Sequence, residues 1–259
     1  MENFETTIEK IMSGEKALSY SSLRQFLESP RHFKKHVTEP EITDAMIDGQ
    51  RFHMAVLEPE KFIEKHWFLD DSEKVKEIGG GSPRATKLYK EWKAEQIEKN
   101  EGKEMISLDD FNAYMSMKEA LYRNRSTKPL MESLTEREKF VQIEYEGFLI
   151  NMKIDGMSDN TMIDLKKVAD AKLKRIKWDI RDKHYDMQAG LYEYATGRHK
   201  YYIPFIDKGC NITLIKLTPG TLSEGFGKFQ MAIDKFVECA EQDLWDSSYE
   251  FWNGGYINI

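Results

Sequence analysis

A chain of 259 residues, 40% hydrophobic and 32% charged, carries enough apolar material for one sizeable α/β unit and has the composition of a soluble globular protein. It has no run of about 18 apolar residues, which excludes a transmembrane helix, and its opening MENFETTIEK is acidic and polar, unlike a secretory signal. Cys210 and Cys239 are the only cysteines, which argues against a thiolate metal site and fits a reducing cytosol, while the net charge of −7 argues against a nucleic-acid partner unless basic residues are gathered locally.

The first half reads as helices. In SYSSLRQFLES, serines stand as N-cap candidates ahead of Leu23 and Phe26. A second helix is predicted from about Thr43 to Val56, stopping before Pro59. EIGGGSPRAT, residues 77 to 86, reads as a flexible loop able to cover a site, because three glycines and Pro83 cannot hold a helix. Helical periodicity resumes from Lys87 to Asn100 and from Leu108 to Tyr122.

The middle of the chain alternates apolar and polar residues in three runs, broken at Glu146-Gly147 and at Asp159-Asn160, the turn chemistry of β-hairpins. Two-residue turns at these points pair Tyr145 with Phe148 and Gln142 with Asn151. They also pair Ser158 with Thr161, Asp155 with Asp164, and Lys153 with Lys166. The meander then has a dry face (Val141, Ile143, Tyr145, Phe148, Ile150, Met152, Ile154, Ile163, Leu165) and a polar one. The polar face carries Gln142, Glu144, Asn151, Lys153, Asp155, Asp164 and Lys166. A single helix follows across WDIRDKHYDMQAGLYEYATG, with Gln188 and Tyr192 one turn apart, then strands YYIPFI and NITLIKL and a helix from about Leu222 to Gln242. The order αα-βββ-α-ββ-α predicts a mixed sheet flanked by helices.

Two facing carboxylates repel, and a divalent cation held by oxygens is the usual relief. A lysine beside such a cation can position or deprotonate a water, or steady charge developing on a phosphate. Asp155, Asp164 and Lys166 together therefore suit hydrolysis of a phosphodiester. Taken singly, each Asp is equally well a turn or solvated-strand residue.

At KIDG, MIDLKK and HYDMQAGLYEY the chain resembles the PD-(D/E)xK nucleases, in the branch of the RecB-like and lambda-type exonucleases. SYSSLRQFLESPRHFKKH and DGQRFHMAVLEPEKF are similar to the exodeoxyribonuclease VIII (RecE-type) group of phage recombination nucleases, in which a helix ending G-x-x-x-H-x-x-x-L-E-P precedes the catalytic sheet. The likeness covers residues 18 to 66 and 138 to 250. It implies an α/β fold with a restriction-endonuclease-like core, a mixed β-sheet flanked by helices, and a helical N-terminal region. On that reading the chain is a single nuclease domain, with a mainly helical part at 1–138, the catalytic sheet and helix at 139–218, and a C-terminal helical part at 219–259.

The resemblance further implies that His53, Asp155 and Asp164 ligate Mg²⁺ or Mn²⁺, with the backbone carbonyl of Leu165. Lys166 would orient and activate the attacking water, and Gln188 and Tyr192 would sit behind the site. Glu144, on the polar face, is a candidate to reach the metal through water, or else to pair with Lys153. The implied activity is an exodeoxyribonuclease on double-stranded DNA, 5′→3′, leaving 3′ single strands for an annealing protein. A homo-oligomeric ring, a bacterial cytoplasm and a phage or prophage origin go with it. Alternatives are a structure-specific endonuclease and a silent DNA-binding protein on the same core. The residue after the catalytic Lys is commonly small and hydroxylated in the family, and here it is Lys167.

Basic residues do gather locally, in RHFKKH at 31 to 36 and in LKKVADAKLKRIKWDIRDK at 165 to 183. Lys167, Lys172, Lys174 and Arg175 are candidates to track a phosphate backbone, and also for a solvated helix face. Arg51 and Arg84 are candidates to grip a 5′-phosphate. The five tryptophans read as core, with one able to stack on an unpaired base.

Overall fold

The computed structural model describes residues 3–254. Helices dominate the N-terminal part, and hydroxyl caps start them. After α1 (Phe4–Met12) and the short β1 (Leu18–Ser19), Ser19 closes a reciprocal capping box with Ser22 at the head of α2 (Tyr20–Glu28). Ser29 caps α3 (Pro30–Thr38) and Thr43 caps α4 (Asp44–Leu57). Pro59 stops α4, as expected, and also opens α5 (Pro59–Lys65), because its fixed φ suits a first helical turn.

A side lobe follows. Strands β2 (His66–Phe68) and β3 (Glu104–Ile106) pair in parallel around α6 (Ser72–Ile78) and α7 (Lys87–Lys99). The glycine-rich loop expected at 77–86 is shorter than that. Gly79 and Gly80 turn the chain at φ +66° and +78°, and Pro83–Ala85 form a 3-10 turn. Helices α8 (Leu108–Arg123) and α9 (Lys128–Ser133) lead into the sheet.

The sheet is mixed, as the alternation predicts. Its members are β4 (Glu136–Tyr145), β5 (Phe148–Met157), β6 (Thr161–Ile163), β7 (Lys166–Lys167), β8 (Lys200–Ile206) and β9 (Ile212–Lys216), with β1 at one edge. The β4–β5 hairpin keeps the expected register, Tyr145 with Phe148 and Gln142 with Asn151. Glu146 and Gly147 both adopt positive φ, the two-residue turn that matches strand twist.

The next hairpin starts in the expected register and then opens. Gly156 pairs with Ile163 and Met157 with Met162, but the ladder goes no further, so Asp155 with Asp164 and Lys153 with Lys166 are not strand partners. Beyond this point β6 turns to β8 instead. Ile163 pairs with Tyr202 and Lys166 with Phe205 at one constant offset, so β6 and β7 are two ends of one strand interrupted at Asp164-Leu165.

The expected division into a dry and a polar face also changes here. Ile154 and Met157, three apart, both face the core under α11 (Tyr185–Thr196) and α12 (Pro219–Glu241), so the alternation of β5 breaks at Asp155-Gly156. Ile163 and Leu165 pack on the opposite side, with Phe52, Val56 and Leu121 of α4 and α8. Both faces are therefore covered.

The single helix expected across residues 178 to 197 is two, α10 (Leu173–Asp182) and α11, joined at His184 in the left-handed region (φ +51°). Glycines bring α11 and α12 into backbone contact. A Cβ on Gly190 would lie 2.3 Å from the Phe226 nitrogen, and one on Gly225 would lie 1.9 Å from the Asp186 carbonyl oxygen. The last helix is α13 (Glu250–Asn253). No described helix is long and apolar enough to cross a membrane.

Candidate active site

The opening between β5 and the β6–β7 strand is where the polar residues collect. From α4, His53 brings Nδ1 to 3.4 Å from Asp155 Oδ1 and 3.9 Å from Glu138 Oε1. Glu138 lies across the hairpin from Asp155, between the pairs Arg137–Gly156 and Lys139–Ile154, and its φ of +50° breaks the β4 alternation. Its Oε2 pairs with Lys153 Nζ, and its buried Oε1 has no hydrogen-bond partner among the described residues. One ligand atom from each of His53, Glu138 and Asp155 lies within 4.8 Å of the others. They line an open cavity of about 460 Å³ between α4 and the hairpin, with Gly49, Gln50 and Lys153.

Beside this cluster lies a second, drier one. Asp164 is 3% exposed; its Oδ1 accepts from Lys166 Nζ at 2.8 Å and from Gln188 Nε2 at 3.2 Å, and its Oδ2 has no hydrogen-bond partner among the described residues. Gln188 also donates to the Tyr192 hydroxyl at 3.2 Å, which donates to the Lys153 carbonyl at 3.3 Å. Lys166 Nζ sits over the Tyr185 ring, 4.8 Å from its centre. A bond from the Leu165 backbone N–H to Asp155 Oδ2 at 2.6 Å joins the two clusters, beside the one from Tyr192 to the Lys153 carbonyl.

Charge is arranged unevenly. Burial depresses the His53 imidazole, but Asp155 and Glu138 beside it outweigh this and push it up to about 10. Burial raises Asp155 too, yet His53, Lys166 and the Leu165 amide bring it below the usual carboxylate range. Asp164 goes the other way: burial and the Asp155 charge raise it, against the partial relief of Lys166. Burial works against the Lys166 ammonium, but Asp164, Tyr185 and Asp155 hold its proton more firmly than usual. Lys166 is therefore a fixed cation, suited to donating hydrogen bonds and positive charge rather than to abstracting a proton.

Of the residues expected at the site, the fold brings together His53, Asp155, Asp164, Leu165, Lys166, Gln188 and Tyr192. It is the Leu165 amide that meets Asp155. Glu144 stands at the far end of the hairpin, exposed and opposite Leu149, and Lys153 pairs with Glu138 instead. Glu138 was outside the expected set, although the hairpin register, carried past Phe140, places it opposite Asp155.

The expected DNA contacts divide into two groups. Arg51 Nη2 is 2.6 Å from Glu104, Arg84 makes a two-pronged pair with Asp71 at 2.6 and 2.8 Å, and Lys167 pairs with Asp48 over the Tyr114 ring. Lys172 pairs with Asp170 at 3.3 Å and Arg175 with Asp179 at 3.1 Å, both from exposed positions, and Lys174 is exposed with no ion-pair partner among the described residues.

A family model described as a PDDEXK-like domain of unknown function (DUF3799) matches residues 19–250. The chain belongs to this family. The PDDEXK-like domain is also similar in structure to a candidate exonuclease from Eubacterium rectale, with a TM-score of 0.58 at 16% identity over 99% of this chain and 89% of that one. A phage-related exonuclease from Haemophilus somnus is similar at a TM-score of 0.36 and 13% identity, over 69% of this chain and 97% of that one. An alkaline exonuclease from Laribacter hongkongensis gives a TM-score of 0.30 and 15% identity, over 74% and 95%. No curated protein matches the sequence. The mixed sheet with helices on both faces is the restriction-endonuclease-like architecture of PDDEXK domains.

Proposed function

We propose that this PDDEXK-like domain is a divalent-metal-dependent deoxyribonuclease, acting as a 5′→3′ exonuclease on double-stranded DNA. The observation that carries the reading is the convergence of His53, Glu138 and Asp155 beside the buried Asp164–Lys166 pair. A divalent cation fits these residues. Two carboxylates and one imidazole converge, and the unpartnered oxygens of Glu138 and Asp164 point to a missing positive partner. Carboxylate oxygens suit Mg²⁺, with Mn²⁺ able to substitute. When bound, the cation supplies Lewis-acid polarisation of a phosphoryl oxygen and eases water ionisation.

The protein's own residues do the rest. His53, Glu138 and Asp155 would form the cradle, and Asp164, whose Oδ2 has no partner among the described residues, would add a carboxylate oxygen beside it. Lys166, fixed as a cation by Asp164 and Tyr185, orients the attacking water and steadies charge on the phosphate. Gln188 and Tyr192 hold Asp164 in place from α11.

The resulting 3′ single strands would serve an annealing protein in phage-type recombination, with the enzyme working as a ring-shaped homo-oligomer in the cytoplasm of a bacterial host. Linear duplex labelled at the 5′ or the 3′ end tests the reading, with a circular control, with and without Mg²⁺. Early release of the 5′ label from linear DNA alone, only with Mg²⁺, is the expected result. Cutting of the circle would make the protein an endonuclease, and no cutting with either metal would end the nuclease reading.

A further inference from the structure

Helix α10 carries an exposed face that the candidate site does not use. Its inner side is anchored by Ile176 and Asp179, both buried. Asp179 takes Arg175 at 3.1 Å and Lys183 at 3.7 Å, so the helix's buried acid is already matched. On the outer side Lys174, Lys177 and Arg181 follow one another at helical spacing, and among the described residues none of their three side chains has an ion-pair or hydrogen-bond partner. The row extends about 10 Å along the helix axis.

Trp178 stands within this row with 51% of its surface exposed, and Leu173 nearby is 50% exposed. A single open indole is ordinary by itself, but here it stands among a row of cations, which gives this face both a flat apolar surface and positive charge. The Arg175 guanidinium lies over the ring, 4.4 Å from its centre, and is itself held by Asp179. The indole is thereby supported on one side, with the other available. In a chain of net charge −7, three unmatched cations around an open aromatic ring are complementary to one class of polymer. Phosphates would meet the cations, and a base would meet the ring. A duplex offers phosphates but keeps its bases stacked inside, so the ring selects an unpaired strand.

The position of the helix fits such a role. It begins a short turn after the β7 lysines and ends with only Lys183 and His184 before Tyr185, whose ring holds Lys166. The C-terminal end of α10 thus leads directly into the candidate active site, while Ala171 ties its start to Asp207 and Thr213 at the β8–β9 turn.

We propose that the outer face of α10 is a single-strand track, on which Trp178 stacks an unpaired base while Lys174, Lys177 and Arg181 neutralise its phosphates. The proposal rests on the nuclease reading for its substrate class, but its test does not need cleavage. Binding of labelled oligo-dT and of a blunt hairpin duplex is measured with EDTA present, over a salt series. Trp178→Ala is expected to weaken oligo-dT binding about tenfold and leave the duplex within about twofold. The triple change Lys174→Gln, Lys177→Gln, Arg181→Gln is expected to reduce the salt slope for oligo-dT by about 2. Thermal melts of both variants should match the unaltered chain, since all four side chains are exposed.

Equal losses on oligo-dT and duplex in Trp178→Ala, or no loss on either, would overturn the track. Cleavage of linear duplex by the unaltered chain with Mg²⁺ is followed in parallel. Its absence would end the nuclease reading while leaving the strand-binding result to stand or fall alone.

Discussion

The backbone N–H of Leu165 donates to Asp155 Oδ2 at 2.6 Å, a bond that a regular sheet would have given to a neighbouring strand. The ladder between β5 and β6 ends at Gly156–Ile163, and this amide bridges the gap that follows. A side chain has replaced a strand carbonyl, so the opening in the sheet costs no unsatisfied amide. The same carboxylate presents its other oxygen to His53.

The first prediction concerns the drier cluster. Asp164→Ala and Lys166→Ala should each reduce cleavage by a factor on the order of 10² to 10³ or more, because each removes fixed charge from the transition state. Circular dichroism should show the fold retained. Activity within tenfold of the unaltered chain, in either variant, would remove that residue from the site.

Glu138 and Glu144 make a matched pair of tests on one strand. Glu138→Ala should weaken Mn²⁺ binding, measured by titration calorimetry, by about tenfold or more, and Glu144→Ala should leave it unchanged. His53→Ala should lower metal affinity more than DNA affinity. Equal behaviour of the two glutamate variants would disconnect the β4 bend from the metal.

Lys167 distinguishes a DNA contact from an internal tie. Its Nζ pairs with Asp48 on α4, and the side chain is 8% exposed. Lys167→Met should therefore destabilise the protein by about 1–3 kcal/mol, read from the denaturant midpoint, and leave the salt dependence of DNA binding unaltered. A reduced salt slope with unchanged stability would return Lys167 to the DNA surface.

Helix contact supplies a further test. Gly225→Ala places a methyl group 1.9 Å from the Asp186 carbonyl oxygen, so α11 and α12 must separate. The expected loss is about 1–3 kcal/mol or more, seen as a lower melting temperature. Gly227→Ala on the same helix meets no atom within 4 Å and should be silent or slightly stabilising.

Acid sensitivity should trace in part to Asp207. Burial alone would raise its carboxyl, but Asn211 and the backbone N–H groups of Asn211, Ala171 and Gly209 bring it below the usual range. A folded-state pKa below the unfolded one gives stability that is full above about pH 4 and is lost as pH falls through the lower, folded value. Asp207→Asn should be less stable at pH 7, and its deficit should shrink in melts below about pH 4. A deficit constant down to pH 3 would mean that the carboxylate charge is not what stabilises this loop.

Asp155, Asp164 and Lys166 of the candidate site were legible from local chemistry, whereas His53, Gln188 and Tyr192 entered through the family resemblance alone. Glu146-Gly147 set a two-residue turn, which fixed the hairpin register and carried Asp155 into place. Asp164 and Lys166 share a face because they are two apart on a strand, although that face proved to be the one under α11. What the residues did not announce were departures from regularity. Glu138 is invisible to alternation because its own left-handed backbone breaks the alternation. His184 divides one expected helix in two by the same device. Nor does sequence say which distant acid meets a given cation, as Glu104 meets Arg51, Asp71 meets Arg84 and Asp48 meets Lys167.

The glycine contact between α11 and α12 sets the stiffness of the layer behind Asp164. Backbone against backbone has no rotamers to change, so the helix bearing Gln188 and Tyr192 has a firm footing. On the other face of the sheet, α4 is held by the buried side chains of Phe52 and Val56 and, at its rim, by Asp48 to Lys167 and by Arg51 to Glu104. Asp164 therefore rests on a backing that cannot repack at its closest contact, whereas His53 rides on a helix held by side-chain contacts alone.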